Sequence, residues 1–451
     1  MSSQIDLLDD TTVGKRELTT LAEKMLAEAR SQGASAAEAD VSIGQGLSVT
    51  VRLGDVETVE HNRDKSLSLT VFFGHKSASA STSDFSDSAI RDTVRAACSI
   101  ARVTAADECA GLADPERLEK DAPDLDLHHP WSLGAEAAVV VARECEDAAR
   151  GVDKCIKNSE GATVSTYAGL EVYGNTNGFL GAIPATRHSL SCSVIARDDN
   201  GMQRDYWYSV ARDASDLETP EQVGTKAGHR ALRRLGARQL STRETSVIYE
   251  APLASTLLSH FVSAVRGSSL YRQASFLLDH VGKQVFSGRV RIFEQPHLRK
   301  AMGSAPFDDE GVVTREGDIV TEGVLKHYVL DSYSARKLGL ETTGNAGGVR
   351  NLTIEPGEHD LPALLKQMGT GLLITELIGF GVNIVTGDYS RGASGFWVEN
   401  GEIQYAVEEI TVAGNLKSMF ADVREVGNDV DARGNIRSGS ILLDSVTVAG
   451  N

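Results

Sequence analysis

Cysteine is scarce in this chain, and its placement excludes more than its number does. The five residues Cys98, Cys109, Cys145, Cys155 and Cys192 form no C-x-x-C pair, and none follows Cys192. An odd, unpatterned set in a chain of 451 residues does not read as a disulfide framework, so buried thiols are expected. Long apolar runs are absent too: no stretch of about 18 such residues occurs, and no membrane-spanning helix is expected. The opening "MSSQIDLLDD" has neither the basic start nor the apolar core of a secretory leader, which points to the cytoplasm. Basic residues are outnumbered, 45 against 63, and the resulting net charge of −18 repels phosphate backbones and anionic membranes. Direct nucleic-acid binding is therefore not expected.

What is present is an α+β pattern in three parts. Residues 1–104 pair the helical stretch "KRELTTLAEKMLAEARSQG" with alternating strands and a second helix, "SDSAIRDTVRAACSIAR". Residues 105–131 are acidic and proline-bearing without periodicity, as in a surface linker. Residues 132–238 repeat the order of helix, sheet, helix. From 239 to 451 the texture changes to short strands and glycine-rich turns. The expected fold is thus two small helix-plus-antiparallel-sheet units followed by a β-dominated C-terminal domain, mostly antiparallel.

The motifs that could carry chemistry fail one by one. "TGNAGG" lacks the G-K-[ST] of a phosphate loop, and "IGQGLSV" has Val49 where a dinucleotide fingerprint needs its third glycine. "SRGASGF" misplaces a glycine for a nucleophile elbow. Asp308, Asp309 and Glu310 stand in a row, whereas a calcium loop alternates its ligands, so a charged turn is expected. His128 and His129 have no ligand at useful spacing. The helix around "ASTLLSHFVSAVRGSS" is regular: Leu253, Leu257, Leu258, Phe261, Val262 and Val265 make one apolar face, with His260 on its flank. A zinc helix of the HExxH kind needs a second histidine four residues away, and here those places hold Thr256 and Ala264.

The blocks "GSAPFDDEG", "YVLDSYSARKLGLETTGNAGG", "NLTIEPG" and "TGDYSRGASGFWVENGEIQYAVEEITVAGNLK" resemble the signature segments of the TldD/PmbA family, also described as modulators of DNA gyrase and as peptidase family U62. The resemblance spans essentially the whole chain and favours the PmbA (TldE) branch. It implies a cytoplasmic heterodimer of the two branches acting as a zinc metalloprotease on small or unfolded peptides. The TldD branch carries an H-E-x-x-x-H motif on the equivalent helix, with a later cysteine as a further ligand. Here those helix positions fall at Ser259, His260 and Ala264, a degenerate motif that supplies neither ligands nor a general base. The expectation is a subunit with no catalytic or metal residues of its own, no cofactor, and zinc in the TldD-type partner. Tyr389, Ser390 and Arg391 are peptide-groove or interface candidates, placed in a polar loop between strands, and an open sheet edge of the third domain is a place for an extended peptide. Alone, the chain is expected to self-pair, mainly through apolar surface of that domain. The rival expectation is a homodimeric peptide-binding or adaptor protein, the gyrase modulator of the family's name, with no protease role.

Overall fold

The computed structural model describes residues 11–199 and 201–450, so the acidic opening stretch lies outside the described residues. The first unit runs α1 (Thr11–Ser31), β1 (Ala36–Arg52), β2 (Asp55–Phe73), β3 (Lys76–Thr82) and α2 (Asp87–Val103). The second repeats it as α3 (Ala135–Gly151), β4 (Ile156–Asn175), β5 (Leu180–Arg197), β6 (Met202–Ala211) and α4 (Pro220–Arg233). Local chemistry sets the helix ends: Ser86 caps α2, and Thr219 with Gln222 forms a capping box at α4 with Pro220 in its first turn.

The two units are joined along one seam. β1 pairs antiparallel with β4 from Glu38↔Asn175 to Val51↔Ala162, giving a single six-stranded sheet in the order β3-β2-β1-β4-β5-β6. Alternation on β1 aims Ala37, Ala39 and Val41 at α1 and α2, and Leu47, Val49 and Val51 at α3 and α4, so one sheet face carries two successive cores. Glu146 of α3, fully buried, accepts the backbone N–H of Leu53 (2.7 Å) and Gly54 (2.8 Å) and pins the tip of the β1–β2 hairpin.

The third part comprises β7 (Arg243–Tyr249), α5 (Ala251–Val265), α6 (Gly267–Leu270), β8 (Ile292–Glu294), β9 (Gly317–Thr321), β10 (Val324–Leu325), α7 (Ser332–Leu338), β11 (Leu352–Ile354), α8 (Leu361–Met368), β12 (Gly371–Ile378), β13 (Asp388–Glu399), β14 (Glu402–Asn415), α9 (Leu416–Ala421), β15 (Val423–Val426), β16 (Ile436–Arg437) and β17 (Ile441–Ala449). Its main sheet, β14-β13-β12-β7-β17-β15, closes on itself where β14 also pairs with β17 through Thr411↔Ala449 to Ala413↔Thr447. Most ladders are antiparallel, with β12 parallel to β7 and β11 parallel to β16. Closure is partial: β13 is paired on both sides, whereas β14 meets β17 only at residues 411–413 and Arg238 only at a bridge to Val407, so part of the edge that the sequence suggested for a peptide stays open.

Residues 105–131 form a strap rather than a free surface linker. Arg336 donates to the carbonyls of Cys109, Gly111 and Leu112, the Tyr333 hydroxyl donates to Asp107, and Glu119 N–H donates to Gly311 O. Its own Leu112, Leu118, Leu125 and Leu127 are buried against the rest of the molecule, which acidic composition alone conceals. Of the cysteines, Cys98, Cys145 and Cys192 are buried and Cys109 and Cys155 half-buried, all as free thiols. Among the described residues no helix is long and apolar enough to cross a membrane.

Candidate functional site

α5 begins where β7 ends, and its root is held from three sides. Glu250 N–H donates to Ile374 O of β12 at 3.0 Å, Ala251 N–H donates to Ser440 Oγ at 3.0 Å, and the Glu250 carboxylate accepts from Arg230 and Arg233 of α4. From there the helix is regular to Val265, with Leu257, Leu258, Phe261, Ala264 and Val265 buried against the sheet. Ser259 and Ser263 turn their hydroxyls back onto Ser255 O (3.0 Å) and Ser259 O (2.8 Å), so neither is offered to a ligand.

His260 is half-buried on the helix flank, and the structure brings it to Tyr389. The two rings meet edge to face, centroids 6.0 Å apart at 71°. Burial, then the positive charge of nearby Arg391, pushes the His260 imidazole below its ordinary pKa, so it is neutral at pH 7. Tyr389 and Arg391 are two apart on β13 and so share the face that looks at α5, while Ser390 points the other way and is exposed. Tyr249, at the end of β7, completes the group: its phenol is held protonated well above the usual range by burial and by Tyr389 beside it.

"GDYSRG" reads in sequence as a polar loop, but residues 388–391 lie within β13, paired to Asn415–Val412 of β14, and Tyr389 is 1% exposed. Glycine, aspartate and serine carry turn propensity, and here the neighbouring strand overrides it. His260 Nε2, Tyr249 Oη, Tyr389 Oη and Arg391 Nε are all buried without a well-formed hydrogen bond. Chemically the cluster offers one permanent cation, two protonated phenols and a neutral imidazole, a set of hydrogen-bond donors suited to a carbonyl or carboxylate oxygen. Because the imidazole makes a ring contact and no hydrogen bond at Nε2, His260→Ala is expected to cost no more than about 1 kcal/mol of stability in urea unfolding. A loss above about 3 kcal/mol would show an interaction that this geometry lacks.

A second polar site was hidden in the sequence. The bare face of the six-stranded sheet carries Glu38, Asp40, Glu171 and Tyr173 toward the loop 305–313 of the third domain, around a pocket of about 170 Å³ lined by Glu171, Tyr173, Asp308, Asp309 and Arg350 among others. Asp308 is no surface turn residue: 1% exposed, it accepts backbone N–H groups of Glu310 (2.9 Å), Val312 (2.9 Å) and Ala346 (3.0 Å) and so clasps the loop. Asp309 pairs with Arg350 at 2.9 Å, and Glu310 accepts Ser332 N–H at 3.0 Å. The one sequence signal for this site was the two-residue spacing of Glu38 and Asp40, which puts both acids on one sheet face.

Models of the PmbA/TldA metallopeptidase domain 1, central domain and C-terminal domain match residues 37–101, 128–235 and 242–450. Over 425 residues the chain is 49% identical to Metalloprotease PmbA of Escherichia coli O157:H7, which covers 94% of each chain. A solved structure from Bacteroides thetaiotaomicron, described as a candidate modulator of DNA gyrase, is 30% identical and superposes with a TM-score of 0.92 over 96% of this chain and 99% of that one. TldE from Thermococcus kodakarensis, at 20% identity, shares the fold with a TM-score of 0.81 over 95% of this chain and all of that one.

Proposed function

The chain belongs to the PmbA/TldD metallopeptidase family, and from that premise we propose that it is the PmbA/TldE-type subunit of a two-chain cytoplasmic zinc metallopeptidase for small or unfolded peptides. In this reading zinc and the general base come from a TldD-type homologue, and this chain contributes partner surface and peptide contacts rather than chemistry.

The observation that carries the proposal is the donor set at α5. A zinc site with a reactive water takes three protein ligands from imidazole, thiolate or carboxylate. At the degenerate positions stand a hydroxyl engaged with its own helix, one imidazole and a methyl group, and the guanidinium of Arg391 adds a positive charge beside that imidazole. Such a charge disfavours a divalent cation as it disfavours a proton. The phenols of Tyr249 and Tyr389, held protonated, are poor ligands. Among the described residues no three His, Cys, Asp or Glu side chains are arranged to hold a metal ion.

The test is elemental analysis and peptidase assay of the purified chain, alone and mixed with its TldD-type homologue. The expected result is well under a tenth of a zinc per chain and no cleavage alone, cleavage on mixing, and an activity of the mixed complex unchanged within about threefold by His260→Ala. One tightly held zinc per chain that disappears with His260→Ala would overturn the proposal. A chain that never associates with the homologue would favour the adaptor reading instead.

A further inference from the structure

Twelve buried side-chain polar atoms of the described residues lack a hydrogen-bond partner, and four of them belong to Tyr249, His260, Tyr389 and Arg391. A fifth, Thr375 Oγ1, lies on β12 next to the Ile374 that pairs with Tyr249. A native fold satisfies nearly all of its buried polar groups, and scattered imperfections do not gather around one helix flank. The concentration points to an absent acceptor.

The donors define what is missing. Even if one phenol donates to the other, the N–H and O–H groups of a guanidinium, two phenols and an imidazole outnumber the atoms among them that can accept. Arg391 forms no ion pair among the described residues, so a half-buried positive charge stands uncompensated. A singly charged anion with two oxygens answers both facts, because a guanidinium grips a carboxylate through two parallel N–H donors.

Placement favours binding as well. Tyr249 ends β7, His260 sits on α5, and Tyr389 and Arg391 share one face of β13, so regular elements fix the donors before a ligand arrives. Tyr249 and Tyr389 are 0% and 1% exposed, whereas His260 and Arg391 are half-buried. The accessible side is therefore that of the imidazole and the guanidinium.

We propose that this cluster binds the C-terminal carboxylate of a peptide, with Arg391 as its countercharge and Tyr249, Tyr389 and His260 as further donors. Charge selects the ligand: one cation matches one negative charge, and a chain of net charge −18 repels phosphate dianions and acidic peptides. A short neutral peptide with free ends brings one carboxylate and one ammonium, and so no net charge. The inference deepens the reading of this chain as a source of peptide contacts, and it rests on that reading for the choice of a peptide.

The experiment is calorimetric titration of the full chain without its homologue, at pH 7.5, with trialanine, trialanine amide, acetate and inorganic phosphate. Trialanine is expected to bind with a dissociation constant of about 0.1–1 mM, as suits so small a ligand, and the amide, acetate and phosphate at least tenfold more weakly. Arg391→Gln is expected to weaken trialanine at least tenfold and Tyr389→Phe about threefold. Tyr389→Phe removes only a hydroxyl that lacks a partner, and an unchanged urea midpoint confirms its folding. No binding of trialanine at 10 mM overturns the proposal, as does equal binding of the amide or indifference to both substitutions. Acetate as tight as trialanine would assign the site to small free carboxylates, and tighter phosphate to another anion, and either overturns it too. Binding is read on the chain alone, so a failure to cleave on mixing with the homologue sinks the subunit reading and leaves this site standing.

Discussion

Arg230→Ala is expected to lower the unfolding free energy by about 3–5 kcal/mol, the largest loss anticipated for a single side chain here. Arg230 lies on α4 of the second unit and is almost buried, its side chain 12% exposed, between two carboxylates. Its Nε donates to Asp205 of β6 at 3.2 Å and its Nη1 to Glu250 at 3.1 Å, the residue from which α5 starts. Asp205 and Glu250 are themselves 4% and 11% exposed at the side chain. Truncating the arginine leaves two acids with little water and less countercharge, and that residual burial is what makes the loss large. The neighbours soften it: Arg233 still reaches Glu250 at 3.2 Å, and Arg234 lies 3.8 Å from Asp205 and 2.5 Å from Glu376. Removing the stranded charge should therefore recover part of the loss, and Arg230→Ala with Glu250→Gln is expected to be more stable than Arg230→Ala alone. Urea unfolding followed by tryptophan fluorescence, to which Trp207 at 5.4 Å from the Arg230 guanidinium contributes with Trp131 and Trp397, measures both. A cost under about 1 kcal/mol would mean that this network is a surface ornament.

That network also shows how far sequence carries. The α5 helix was legible because its apolar residues repeat at helical spacing, and the order of helix, strands and helix was legible twice. The seam between the two units was not: Ser42 and Glu171 face each other across β1 and β4 although 129 residues apart in the chain, and no local pattern encodes such a pairing. Arg230, Glu250 and Asp205 are unremarkable as letters, since a buried ion network is a property of three elements arriving together. Tyr389 to Arg391 were found for their polarity and misplaced for the same reason, because turn-forming residues inside a paired strand look like a loop until the partner strand is known. The strap at 105–131 misled in the opposite sense, its buried leucines too sparse to show a period. His260 was placed on the helix flank correctly from spacing alone. That its neighbours would be a guanidinium and two phenols could be read only from the fold.

The acids of the 305–313 loop contribute to the pH behaviour with a sign opposite to that of an ordinary salt-bridged carboxylate. Burial, with the charge of Asp308 nearby, raises Glu310 from 4.5 to about 7 against the lowering effect of its hydrogen bond from Ser332. Burial raises Asp308 from 3.8 to about 6, against three backbone N–H groups that favour its charge. Each is a group that the folded chain protonates more readily than the unfolded one does. The stability it contributes is fully present below about pH 4, and it is lost as pH climbs through the folded value, here between about 5 and 7. Each such proton changes stability by up to about 1.4 kcal/mol per pH unit inside that window. Buried histidines act the other way: His128, His188 and His260 are all pushed down by burial, so their contribution fades as pH falls. The wild-type slope is therefore a net of opposing groups, and the informative quantity is its difference from Glu310→Gln. Glutamine keeps the carbonyl that accepts Ser332 N–H and cannot ionise. Relative to wild type, Glu310→Gln is expected to gain about 2–3 kcal/mol between pH 5 and pH 8, with most of the change between pH 5 and 7. Urea midpoints at pH 5, 6.5 and 8 for the two proteins decide it. Parallel curves would mean that Glu310 is ionised throughout, held so by the Ser332 contact despite its burial.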